Sequence, residues 1–197
     1  FAEARGRDEI PDRLLLVEHP HTYTFGSAVH EENLLLDSDQ LRARGITVIR
    51  SDRGGDITYH GPGQLVGYPI LKLASAHGAL RADVLAYVRA LETVIIHTLA
   101  DFGVTAGVIP GLTGVWVGEA KIAAIGVRVT TRTVTKHGFA INLNTDLSYF
   151  DGIIPCGIRD KGVTSLSRLQ GTPVSMQAFS AALIAHFGQI FDHAMKF

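Results

Sequence analysis

Hydrophobic positions along this chain follow two periods. From Ala82 to Phe102, Val84, Leu85, Val88, Leu91, Ile95 and Leu99 recur at helical spacing, and Gly103 supplies a stop. A second helix is predicted over Ser175 to Phe191, with Ser175 as its N-cap. Leu34 to Arg44 has room for a short helix ended by Gly45, and the polar Glu3 to Asp12 reads as the tail of a helix entering a loop. The short apolar runs Arg13 to Glu18 (RLLLVE) and Thr47 to Arg50 (TVIR) predict buried strands. Leu65 to Leu73 is also strand-like, and its Pro69 argues for an edge or a bulge.

Gly114 to Val117, Lys121 to Val129 and Thr135 to Leu143 are rich in β-branched residues and separated by short turns. Such a succession suggests neighbouring antiparallel strands rather than βαβ units. The expected architecture is α/β or α+β, a mixed, largely antiparallel central sheet flanked by helices. Neither an internal repeat nor a low-complexity linker interrupts the chain, so residues 1–197 are expected to form a single catalytic domain.

Composition narrows the function classes. Hydrophobic residues at 46% and charged residues at 19% exclude a disordered chain. A formal net charge of −1 gives no broad basic face for nucleic acid. No run of about 18 apolar residues predicts a membrane span. A single cysteine makes neither an internal disulfide nor a Cys-rich zinc site, which points to a reducing, cytoplasmic setting. The first residue is Phe1 and no signal-peptide pattern follows it, so a segment is expected to precede it. Scattered His and Asp residues lack ligand spacing, and no metal or other cofactor is expected.

Arg53 to Gly67 (RGGDITYHGPGQLVG) is the least ordinary stretch. Its glycines let a backbone turn sharply or approach a ligand closely. Gly61, Gly63 and Gly67 have the wrong spacing for a dinucleotide fingerprint, and no Walker-type loop is present. Two readings remain open, a hairpin with two glycine turns or a binding loop. Arg53, Tyr59, His60 and Gln64 favour the loop, because bare turns do not need them.

The lone thiol, Cys156, stands in IIPCGI between a residue that fixes the backbone and one that relaxes it. A free cysteine among apolar residues is usually a small buried hydrophobe. To act as a nucleophile it needs help, since a thiol pKa of about 8.5 leaves little thiolate at neutral pH. Of nine histidines, His60 and His137 sit beside glycines near the strands, whereas His97 and His186 fall within helices. The other candidate helper is Lys121, which opens the otherwise apolar or small run KIAAIGVRV.

At these residues the sequence resembles the lipoyl (octanoyl) transferases. Arg53, Gly54, Gly55, Thr58, Tyr59, His60, Gly63, Gln64, Val66 and Tyr68 complete that family's R-G-G-x-x-T-[aromatic]-H-x-x-G-Q-x-[aliphatic]-x-Y signature. GEAKIAAIGVRV at 118–129, HGFAINLNTDL at 137–147 and PCGI at 155–158 match further blocks. The resemblance implies the fold of the biotin and lipoate protein ligase catalytic domains. It implies transfer of an octanoyl group from acyl carrier protein to a lysine of lipoyl domains, those of 2-oxo-acid dehydrogenases and the glycine cleavage H protein. It assigns the acyl thioester to Cys156 and its tuning to Lys121. Substrate binding falls to Arg53, Gly54, Gly55, Asp56, Ile57, Thr58, Tyr59 and His60, to Ala124, Ile125 and Gly126, and to Gly138, Phe139 and Ala140. The family normally has a strand and a helix ahead of the position of Arg13, and most of that is absent here. Two rival classes are an ATP-dependent lipoate or biotin ligase, which activates a free acid without a cysteine, and a non-catalytic module that binds lipoyl domains or acyl chains.

Overall fold

The structure, a computed structural model, describes residues 1–74, 82–155 and 161–192. Chain order begins with helix α1 (Ala2–Gly6), strands β1 (Arg13–Val17) and β2 (Thr22–Phe25), helix α2 (Ser38–Ala43), and strands β3 (Thr47–Arg50), β4 (Ile57–His60) and β5 (Gln64–Ile70). Helix α3 (Val84–Asp101) leads to β6 (Gly107–Ile109), β7 (Leu112–Val117), β8 (Ala120–Val129) and β9 (Thr135–Asn142). Strand β10 (Gly162–Val163) and helices α4 (Leu166–Gln170) and α5 (Met176–Phe191) follow.

The predicted helices form where local signals are strongest. Asp83 and Ser175 cap α3 and α5 by accepting the amides of Ala86 and Ala178. Helix α2 carries a full capping box between Asp37 and Gln40, and Gly45 follows it at φ +64°. These helices need no distant partner to be recognisable.

The large sheet runs β1-β5-β9-β8-β7-β6, antiparallel throughout, with β10 adding a parallel pairing to β8. Helices α3 and α5 cover one face, where Leu91, Ile95, Leu99, Phe179 and Leu183 pack against Val115, Ile122, Phe139 and Ile141. A second sheet, β3-β2-β4, has its own core of Tyr23, Phe25, Ile57, Tyr59, Phe150 and Ile153. The strands of TVIR and RLLLVE form as expected, but both lie at sheet edges and neither is buried. Every residue of β3 is exposed, because β3 pairs only with β2.

The Gly-rich segment is not a hairpin. Strand β4 pairs with β2 in the small sheet, and Gly61 to Gly63 carries the chain across to β5 in the large one. Strand β5 lies inside its sheet, yet its register with β9 ends at Gly67–Phe139. Beyond it, the Thr135 hydroxyl accepts the Leu71 amide and donates to the Pro69 carbonyl, so the proline sits at an interruption of the ladder.

Candidate active site

Successive side chains of a strand point to opposite faces. On β8 and β9 this leaves the paired residues Ala124–Ala140 and Gly126–Gly138 on the face away from the helices. Small side chains there leave the space between the two sheets unfilled, a cavity of about 350 Å³. The small sheet supplies Thr22, Thr24, Ile49, Thr58 and His60 to its wall. The large sheet supplies Val66, Tyr68, Ala124, Ile125, Gly126, His137, Gly138, Phe139 and Ala140. His19, Pro20, Ser51 and Arg53 complete it.

One end is closed by the Gly-rich loop. The Gly54 amide donates to Val127 O at 3.1 Å, and a Cβ on Gly126 would stand 2.8 Å from Gly54 O. The loop passes this closely only over glycine. Asp52 fastens it further, accepting from Lys136 Nζ at 2.6 Å and His137 Nε2 at 2.5 Å. These bonds, Lys136 first, hold the Asp52 carboxyl well below the usual carboxylate range.

Lys121 lies in a crevice that adjoins the cavity. Register skips from Trp116–Lys121 to Val115–Ala123, so β8 carries an extra residue at Ile122. Ile122 and Ala123 are both fully buried, and this bulge returns Lys121 to the face of Ala124. A crevice of about 20 Å³ is lined there by Lys121, Pro155, Val163, Gln64 and Asn142, and it shares Thr58, Ala124 and Ala140 with the large cavity. Pro155 immediately precedes Cys156 in the chain. Cys156 itself lies outside the described residues.

Of the stretches implied by resemblance, Arg53, Thr58, His60, Ala124, Ile125, Gly126, Gly138, Phe139 and Ala140 meet at the cavity. Gly54, Gly55, Asp56, Ile57 and Tyr59 are not among its lining residues. Ile57 and Tyr59 belong to the core of the small sheet. The Asp56 carboxylate is buried and accepts from the His30 amide and the Asn33 side chain. Arg53 is buried too, its guanidinium donating to Thr24 Oγ1 at 3.1 and 2.9 Å and to Asp56 O at 2.6 Å. Its fork therefore sets the shape of the loop.

His60 is the polar group whose state the geometry defines. Its Nδ1 lies 2.9 Å from Gln64 Oε1, an atom that only accepts, so Nδ1 carries the proton. The Gln64 orientation is fixed in turn, because Nε2 donates to Tyr59 O at 3.1 Å and to Asn142 Oδ1 at 3.0 Å. Asn142 Nδ2 donates to Thr164 O, and the Thr164 amide donates to Lys121 O. This relay leaves His60 Nε2 with a lone pair and joins it to the strand of Lys121. Burial lowers the His60 pKa to about 4, with Arg53 and His19 adding to the effect against the Gln64 bond.

The same burial predicts a pH dependence. A histidine that titrates near 6.5 when unfolded and near 4 when folded binds more protons unfolded between those values. Stability is therefore full above about pH 6.5 and falls as the pH drops toward 4. The contribution is on the order of 3 kcal/mol. Thermal melts from pH 7 to 4 should show this decline, and His60→Gln should flatten it. An unchanged slope in that variant would contradict the assignment.

The sequence had not singled out His19, whose Nε2 lies 2.7 Å from Tyr68 Oη in the cavity wall, nor Asn142 and Trp116. His19 and Tyr68 are 49 residues apart, so no local spacing links them.

Comparison with known proteins decides between families sharing this architecture. Residues 1–188 match the model of the lipoyl protein ligase A/B catalytic domain. The chain is 54% identical over 195 residues to an octanoyltransferase of Solibacter usitatus, covering 99% of this chain and 86% of the relative. It is 49% identical to an octanoyltransferase of Roseiflexus sp., with 98% and 79% covered. The chain belongs to the octanoyltransferase family. Its members are acyltransferases, and octanoyl or lipoyl transfer is the activity of the family.

Solved structures show the same fold in more distant proteins. A lipoate-protein ligase A bound with ATP superposes with a TM-score of 0.78 at 20% identity, over 99% of this chain and 80% of that one. A bi-partite lipoate protein ligase from Thermoplasma acidophilum gives 0.75 at 19%, over 99% and 79%. A biotin protein ligase from Aquifex aeolicus gives 0.51 at 15%, over 67% and 54%. The expected fold class holds. Among the described residues, no helix is long and apolar enough to cross a membrane.

Proposed function

We propose that this octanoyltransferase moves an octanoyl group from acyl carrier protein to a lysine of a lipoyl domain, through a thioester on Cys156. The observation that carries the reading is the crevice lined by both Lys121 and Pro155, the neighbour of Cys156 in the chain, beside an apolar cavity with which it shares Thr58, Ala124 and Ala140. The cavity suits an unbranched acyl chain, and burying an octanoyl tail there contributes roughly 5 kcal/mol at about 0.8 per methylene.

The Cys156 thiolate, stabilised by the Lys121 ammonium, attacks the octanoyl thioester carbonyl. The carrier's sulfur departs and takes the lysine proton, leaving an acyl-enzyme and neutral Lys121. Backbone donors near Gly126 and Cys156 hold the oxyanion. The acceptor lysine, whose ordinary pKa is about 10.4, then gives a proton to Lys121 and attacks the acyl-enzyme as an amine. An amide forms as the attacking nitrogen releases its second proton to solvent, and the Cys156 thiolate returns. His60 Nε2, neutral at working pH and facing the cavity, accepts an N–H of that amine and orients it. Exchange of thioesters is nearly balanced and amide formation runs downhill, so no nucleotide is consumed.

Octanoyl-carrier and an apo-lipoyl domain incubated with the protein should give octanoyl-lysine without ATP or magnesium. Product formed only from free octanoate plus ATP would assign a ligase activity instead. Binding without any transfer would assign a non-catalytic module.

A further inference from the structure

We propose that Trp116 is a positioning residue for Lys121, holding its ammonium over the crevice shared with Pro155. The inference rests on the reading of Lys121 as the partner of Cys156. Trp116 and Lys121 are cross-strand partners on β7 and β8, and Lys121 Nζ stands 4.7 Å from the centroid of the indole ring. An ammonium at that distance over an indole face is attracted by the ring quadrupole, more strongly where water is excluded. Trp116 is only 3% exposed. Its indole N–H has no hydrogen-bond partner among the described residues, and the lysine stands over the ring.

The stem of the lysine is guided as well. Gly114 takes φ +121°, and a Cβ there would lie 2.6 Å from Ala123 O and 3.4 Å from Lys121 Cε. Its amide is tied to the buried Glu92 carboxylate of α3 at 3.1 Å. On the adjoining elements the charged groups are engaged: Glu92 also accepts from Arg89, and Lys161 donates to Glu119. The bulge at Ile122 turns Lys121 to this face, Gly114 leaves room for its stem, and Trp116 receives its head. A flexible four-carbon chain is thereby held near one geometry.

Two properties of the sequence make the inference testable, since Trp116 is its only tryptophan and Cys156 its only cysteine. Indole emission of the intact protein should change in one alkaline step as Lys121 loses its proton, and Lys121→Met should abolish that step. Trp116→Leu should lower kcat for octanoyl transfer by about tenfold or more with KM changed less than about threefold, and should raise the apparent pKa for alkylation of Cys156. Trp116→Phe, which keeps a π face, should recover most of both. An emission step that persists in Lys121→Met overturns the proposal. So does a folded Trp116→Leu protein with unchanged kcat and thiol pKa. Should Trp116→Leu fail to fold, the emission titration decides alone. If Lys121→Met leaves transfer intact, the role of Lys121 itself fails. If Lys121→Met disables the enzyme and Trp116→Leu does not, only the positioning role of Trp116 falls.

Discussion

Cys156→Ala is expected to lower octanoyl transfer by at least about 10³-fold while leaving the fold and the acyl cavity in place. The reaction has no other thiol to fall back on. The variant should still bind the octanoyl-carrier, because strands β2, β3, β4, β5, β8 and β9 all supply residues to the cavity walls. Loss would then appear in kcat, with KM nearly unchanged. Steady-state transfer to an apo-lipoyl domain measures this directly. A Cys156→Ala protein with full activity would replace the covalent scheme by direct attack of the amine on the carrier thioester.

Lys121→Met is expected to cost about 10²- to 10⁴-fold, the range for removing a general acid–base. Methionine keeps an unbranched stem over Gly114 and removes the charge, so packing is largely retained. Two distinct effects should follow. The thiol loses its cation, and its alkylation pKa should return toward about 8.5. The acyl-enzyme loses its base, so it should persist when the acceptor domain is added. The two can be separated, because alkylation reports on the free enzyme and single-turnover deacylation on the second half-reaction. Retention of both rates would leave Lys121 as a partly buried strand lysine with no catalytic role.

How much of this was readable beforehand depends on the range of the interactions. Helices α3 and α5 announce themselves by apolar spacing and by caps within three residues of their starts. The β7–β9 meander is similarly local, with short turns between its strands. The small sheet is not. Its central strand is the four residues Thr22–Phe25, too short for alternation to mark, and it is completed by pairing with Thr47–Arg50 and Ile57–His60. Missing β2 is what left a hairpin open as an alternative to the favoured binding loop, and placing TVIR in the core ignored that an edge strand has a neighbour on one side only.

The site divides in the same way. The glycines of the loop and the isolated lysine stood out as residue types, and the resemblance gave them roles. Their geometry did not follow from that. The bulge that turns Lys121 toward the crevice is invisible in KIAAIGVRV, where nothing between Ile122 and Ala124 marks an extra residue. The relay from His60 through Gln64 to Asn142 crosses 78 residues in one hydrogen bond. Trp116 resembles an ordinary core residue until register puts Lys121 across from it.

The central claim is that an acyl group rests on Cys156 on its way to the acceptor lysine. Intact-mass analysis after exposure to octanoyl-carrier, without ATP and without acceptor, tests it most directly. The account predicts one octanoyl increment, carried on the peptide containing Cys156 and discharged when the lipoyl domain is added. An enzyme that completes the transfer yet shows no such adduct, or carries it on another residue, would contradict it.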